Sequence, residues 1–125
     1  MLLLVALAGA LLAAPLALAK TEEGLASFYG RAFQGKKTAS GVRFDADELT
    51  AAHPSHPSGT ILRVTNLENS RAIEVRVTDR GPTRPNRREG VVIDLSRAAA
   101  KRIGLTDEGR ARVRVEVVKP GRKRP

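Results

Sequence analysis

The chain has 125 residues, 22 Lys plus Arg against 13 Asp plus Glu, and a formal net charge of +9. It has no cysteine, which excludes a disulfide-stapled fold, a thiol nucleophile and a cysteine metal centre. A charge this positive points to an anionic partner, whether nucleic acid, a membrane surface or an acidic wall polymer; the bland counterpart is a soluble basic surface.

Residues 1–19, MLLLVALAGALLAAPLALA, carry no charged side chain and end in Ala17-Leu18-Ala19, with small residues where a secretory leader is cleaved. We expect a signal peptide over 1–19, a mature chain from Lys20, and export to the periplasm or cell envelope. A transmembrane anchor is the competing reading of the same run; Pro15 and the alanine-rich end favour cleavage. Export removes nucleic acid from the candidate partners, and no membrane anchor is expected after cleavage. About a hundred residues remain, enough for one modest core. A single domain over 20–118 is expected, followed by a basic, disordered tail over 119–125.

"GLASFYG" (24–30) reads as a short strand. "TASGVRFDADELTAAH" (38–53) is glycine-turned and reads as loop. "ILRVTNL" (61–67), "AIEVRVTD" (72–79) and "ARVRVEVV" (111–118) alternate apolar and charged residues, the period of half-buried strands. Ile73, Val75 and Val77 share one face, as do Val113, Val115 and Val117. Between the first two of these strands "ENSR" (68–71) predicts a hairpin, with Asn69 in a left-handed turn position. "GVVIDL" (90–95) suits a buried strand. "SRAAAKRIG" predicts one helix, with Ser96 as N-cap and Gly104 at its C-terminal end. Several short strands and one helix give a small, mainly β barrel or sandwich.

No metal or other cofactor is expected, since His53 and His56 sit three apart in a Pro-rich loop without further ligands in sequence. An enzyme without thiol or metal must use carboxylates, helped by histidine. Asp45, His53 and Asp79 are the candidates. Asp79 ends a strand beside Gly81-Pro82, where a carboxylate can be held rigidly facing outward, and Arg80 is placed to pair with Asp94 or with a substrate. The bland alternatives are that Asp79 caps a turn and that His53 is a satisfied buried histidine.

The blocks A-S-x-Y-G, T-A-S-G, T-A-A-H-x-x-x-P-x-G-T, V-x-V-T-D-R-G-P and I-D-L-S-x-A-A-A occur in this order from Gly24 to about Val118. In them the chain closely resembles the rare lipoprotein A (RlpA) family. The resemblance implies a six-stranded double-psi β-barrel, shared with expansins and some endoglucanases. It also implies a periplasmic lytic transglycosylase acting on peptidoglycan glycan strands stripped of stem peptides. It carries functional roles onto Asp45, His53 and Asp79.

In such a reaction the C6 hydroxyl of the muramoyl sugar attacks C1, giving a 1,6-anhydro end, so one carboxyl acting first as acid and then as base could suffice. Asp79 is the first choice, with Asp45 as the neighbouring carboxylate that raises its pKa and His53 as an orienting group. Tyr29, Thr38, Ser40 and Arg80 are the expected substrate contacts, and a monomer is expected. One departure stands out: Val42 follows the T-A-S-G glycine where the family usually has an acid, which implies weakened catalysis. A non-catalytic, expansin-like wall-binding module and a conventional glycan hydrolase are the alternatives.

Overall fold

A computed structural model describes residues 21–29, 33–105 and 109–122. The expected leader over 1–19, residue 30 of the first expected strand and the last three residues of the expected tail lie outside the described residues. The elements run β1 (Thr21–Phe28), β2 (Thr50–Ala52), β3 (Ile61–Asn66), β4 (Ala72–Asp79), α1 (Arg84–Arg88), β5 (Val91–Leu95), α2 (Arg97–Arg102) and β6 (Ala111–Lys119). The six strands close into a barrel in the order β1-β5-β2-β4-β3-β6. Two neighbouring pairs, β1–β5 and β2–β4, are parallel, and the other four are antiparallel.

The alternation read from the sequence sorts side chains between the barrel interior and water. Leu62, Val64, Val75, Val77, Ile93, Leu95, Val113 and Val115 fill the interior, joined by Ile103 and Leu105 after α2. Each such burial contributes roughly 1.5–3 kcal/mol, in a chain that has no disulfide to constrain its unfolded state. Arg63, Glu74, Arg76 and Arg112 take the solvent parity.

The structure adds two elements to those expected. β2 lies inside the stretch read as loop; its Thr-Ala-Ala is buried throughout and pairs with β4 on one side and β5 on the other. A second helix, α1, follows Pro82, with Pro85 in its first turn, where a missing N–H costs nothing. The hairpin between β3 and β4 forms as expected, but its left-handed residue is Ser70 (φ 64°) rather than Asn69. Asn69 instead uses its side chain: Oδ1 accepts from Arg71 N–H, and Nδ2 donates to Ile103 O at the end of α2. Ser96 caps α2 as the sequence suggested, its hydroxyl accepting from Ala99 N–H. Past the boundary placed at residue 118, Lys119 still belongs to β6, and Gly121 N–H donates to Thr60 Oγ1 at 3.0 Å.

Candidate active site

The site grows out of one register. Ala52 at the end of β2 pairs with Asp94 of β5 and with Asp79 of β4. The two acids therefore stand abreast on strands either side of a small residue, and all three line one cavity of about 180 Å³. A register shift between Ala51 and Ala52 sets Val77 opposite the first and Asp79 opposite the second. Such irregularities re-aim side chains at barrel rims. Gly81 completes the opening: at its φ of +152° a Cβ would meet Asp94 Oδ2 at 3.1 Å and Ala52 Cβ at 3.3 Å.

Asp79 is half-buried, and its Oδ1 accepts from Ala39 N–H at 3.0 Å and Arg80 N–H at 2.8 Å. The first donor explains the T-A-S-G block. Thr38 N–H bonds Val42 O and Gly41 N–H bonds Thr38 O, making a tight turn at positive-φ Gly41, while Ser40 N–H docks the turn onto Thr78 O. The block is thus a clamp on the end of β4. Thr38 lines the cavity, its hydroxyl 2.7 Å from Ser40 Oγ, whereas Ser40, expected as a substrate contact, is part of the clamp and is not among the residues lining that cavity.

The sequence offers Asp94 only as a partner for Arg80; no such ion pair forms among the described residues, and Asp94 takes a larger place. Ser27, its register neighbour on β1, donates its hydroxyl to Asp94 Oδ1. Burial is the main cause that pushes the Asp94 carboxyl above its ordinary range; the Ser27 hydrogen bond and Arg110 pull it down, and the Asp79 charge pushes it up. Tyr29 forms the wall of the cavity, stacked on Phe44 with ring centroids 4.5 Å apart and edge-on to Phe33 at 5.7 Å. Its buried hydroxyl finds no hydrogen-bond partner among the described residues. Burial, then the charges of Asp79 and Asp94, push that phenol well above its usual value. Phe33, 48% exposed, sits at the mouth with Lys36 over its ring.

Asp45 and His53 go elsewhere. Asp45 Oδ1 accepts from Asp47 N–H at 3.0 Å and Gln34 Nε2 at 3.3 Å, an Asx turn holding the 45–48 loop. It is not among the residues lining the cavity around Asp79 and Asp94. His53 is 3% exposed. Its Nδ1 accepts from Ser55 and His56 N–H (3.1 Å each), so the ring proton lies on Nε2 and is donated to Glu22 Oε1 at 2.6 Å. That hydrogen bond is the main reason the Glu22 carboxyl lies below its ordinary range. The backbone of His53 still serves the site, its N–H donating to Asp79 O. The ring lines a second cavity of about 550 Å³ on the other side of Asp79, shared with Arg80 and Arg122.

Glu22, His53 and His56 bring possible metal-ligating atoms within 4.8 Å of one another. Both nitrogens of His53 are already engaged there, so a metal would have to displace the Glu22 contact and leave Nδ1 facing two N–H donors. Val42 projects into solvent, 58% exposed, and lines none of the cavities that Asp79 borders.

Residues 21–115 match the lytic transglycolase family of double-psi β-barrels. The endolytic peptidoglycan transglycosylase RlpA of Campylobacter jejuni is 49% identical over 102 residues, 82% of this chain and 36% of that protein. The protein of the same name from Neisseria meningitidis is 44% identical over 105 residues, 84% of this chain and 42% of its own length. This chain thus spans less than half of either relative. Among solved structures, the Streptomyces papain inhibitor superposes with a TM-score of 0.64 at 23% identity, covering 80% of this chain and 96% of the inhibitor. The expansin of Clavibacter michiganensis superposes with a TM-score of 0.62 at 24% identity, over 83% of this chain and 53% of the expansin. Those two likenesses carry the fold, a closed barrel with the strand order above. The family match and the relatives' identities carry the rest: the chain belongs to the RlpA-like lytic transglycolase family of double-psi β-barrel proteins.

Proposed function

We propose that the chain is an endolytic peptidoglycan lytic transglycosylase, exported and monomeric, that cleaves glycan strands to leave 1,6-anhydromuramoyl ends. The observation that carries this reading is the register that sets Asp79 and Asp94 abreast across Ala52 in one cavity. The two carboxyls divide the work. Burial keeps the proton on Asp94 to higher pH than an ordinary carboxyl, which makes it the donor to the glycosidic oxygen. Asp79, held by two backbone N–H groups, faces the developing positive charge at C1 and takes the proton of the muramoyl C6 hydroxyl as that oxygen closes on C1. The C1–O bond to the leaving sugar breaks, the C1–O6 bond forms, and a proton passing from Asp79 to Asp94 resets the site without water being consumed.

Tyr29 lines the cavity beside the two acids, and Phe33 offers an apolar face to a ring at the mouth. Lys36 and Lys37 line the same cavity and suit a glycan bearing free carboxylates. Asp45 serves the loop, and His53 acts through its backbone and through Glu22. The test is mass spectrometry of peptide-free glycan strands incubated with the protein. Anhydromuramoyl ends are expected. Reducing ends alone would make it a hydrolase, and retention on glycan without any product would make it a wall-binding module like the expansin it superposes on.

A further inference from the structure

Beside the two cavities at Asp79 lies a third concavity of about 310 Å³, framed by Pro54, Gly81 and Pro82 and lined by Arg80, Arg84 and Arg87. Arg84 and Arg87 are three apart on α1 and so project from neighbouring positions of one helix face. No acidic residue is in the lining. Three other described arginines find carboxylates: Arg63 pairs with Glu74, Arg110 with Glu89 and Arg114 with Glu23. No such ion pair reaches Arg80, Arg84 or Arg87 among the described residues. Three guanidinium groups around one hollow repel one another until an anion enters, and their planar forks suit a carboxylate.

Arg80 lines this hollow and both neighbouring cavities, so an anion seated here is continuous with whatever crosses Asp79. We infer that Arg80, Arg84 and Arg87 form a subsite for the free lactyl carboxylate of a muramoyl residue adjacent to the bond being cleaved. The inference rests on the proposed function and deepens it. In a glycan of N-acetylated sugars the lactyl group is the only ionisable substituent, and it is charged only where no peptide is joined to it as an amide. The subsite therefore reads a joined peptide as the absence of a charge at the lactyl carbonyl itself.

The experiment measures binding rather than turnover, using the Asp79→Asn protein and two probes. One is peptide-free glycan strands of defined length; the other is the same strands with their lactyl carboxylates converted to methylamides. At low salt the free-acid strands are expected to bind about tenfold more tightly, the sum of two or three solvent-exposed ion pairs. Adding Arg84→Gln and Arg87→Gln, both on the exposed face of α1, is expected to erase that ratio and leave binding to the methylamide strands unchanged. Lysine at both positions keeps the charge but loses the fork, and an intermediate ratio is expected. A parent protein that binds the two probes equally, or a ratio that survives both the glutamine and the lysine pairs, overturns the subsite. The two proposals fail separately. Anhydro products without a binding ratio leave the enzyme and remove the subsite; a ratio lost in the glutamine pair without any products leaves the subsite on a wall-binding protein.

Discussion

Replacing Asp79 separates chemistry from structure because two alternatives at that position do different things to the same hydrogen bonds. Asp79→Asn keeps an oxygen where Ala39 and Arg80 N–H donate, at 3.0 and 2.8 Å. Those bonds become neutral rather than charge-assisted, which costs about 1 kcal/mol. Relief of the repulsion with Asp94 offsets part of that, because the Asp79 charge is one of the causes raising the Asp94 carboxyl. The asparagine protein is therefore expected to melt within a few degrees of the parent. Asp79→Ala removes the acceptor altogether, and a loss of about 2 kcal/mol would lower Tm by roughly 8–16 °C in a domain of this size. Both lose a proton-transfer group, so both are expected to lose about 10²–10⁴ in turnover. The assay is the rate of anhydromuramoyl-end formation, read beside calorimetry, with Asp45→Asn as a comparison expected to keep turnover within about threefold. A further readout follows the neighbour: the Asp94 carboxyl should titrate lower in Asp79→Asn than in the parent. If Asp79→Asn keeps more than a tenth of the rate, or if rate falls only in step with Tm, Asp79 is a cap and the division of labour with Asp94 is wrong.

Ser27→Ala removes a hydrogen bond that lowers the Asp94 carboxyl, so its proton should persist to higher pH and the alkaline limb of the pH–rate profile should move upward. Ala52→Leu fills the space between the two acids; turnover should fall at least tenfold and stability by about 1–3 kcal/mol from overpacking, whereas Ala52→Ser should keep both. The Glu22 carboxyl is lowered in the folded chain, so its contribution to stability is present above its ordinary pKa of 4.5 and lost as pH falls through the folded value. Glu22→Gln should accordingly lower Tm at neutral pH, where that contribution is present, and leave a flatter acid side whose lowest-pH values differ little from the parent's. Val42→Glu, on an exposed side chain away from both cavities, is expected to change turnover by less than about threefold, measured on the same glycan strands.

Five of the six strands were legible: β3, β4 and β6 because each alternates apolar with polar or charged residues at a period of two, and β1 and β5 as short, mostly apolar runs. β4 matches its expected range of 72–79, and β5 and β6 differ from theirs by one residue at an end. β2 was illegible for the opposite reason. Thr-Ala-Ala is buried on both faces between two partners and so carries no alternation to see. Asp94 was hidden by parity, for in V-V-I-D-L it occupies the place of an ordinary solvent-facing residue. Only the parallel pairing of β1 with β5 brings Ser27, 67 residues away, onto its carboxylate. Asp45 shows a limit of the motif itself. It looked like a second acid, yet the D-A-D spacing already offered an Asx turn onto Asp47 N–H, a local bond that needs no site nearby.

Closing the barrel has a consequence for the order in which the molecule can form. One seam joins β6 to β1, with Gly24 opposite Val113, and the other joins β6 to β3, with Val64 opposite Val115. Until the last strand arrives, β1 and β3 each present a row of unpaired backbone groups, the open template that sticky intermediates share. The ring cannot be completed from the N-terminus alone. Its first strand must wait for a partner some ninety residues further along the chain, a long loop to close before any contact at the seam rewards it. A chain made vectorially would remain open-edged until its final strand appeared, and from that moment it would present no edge at all.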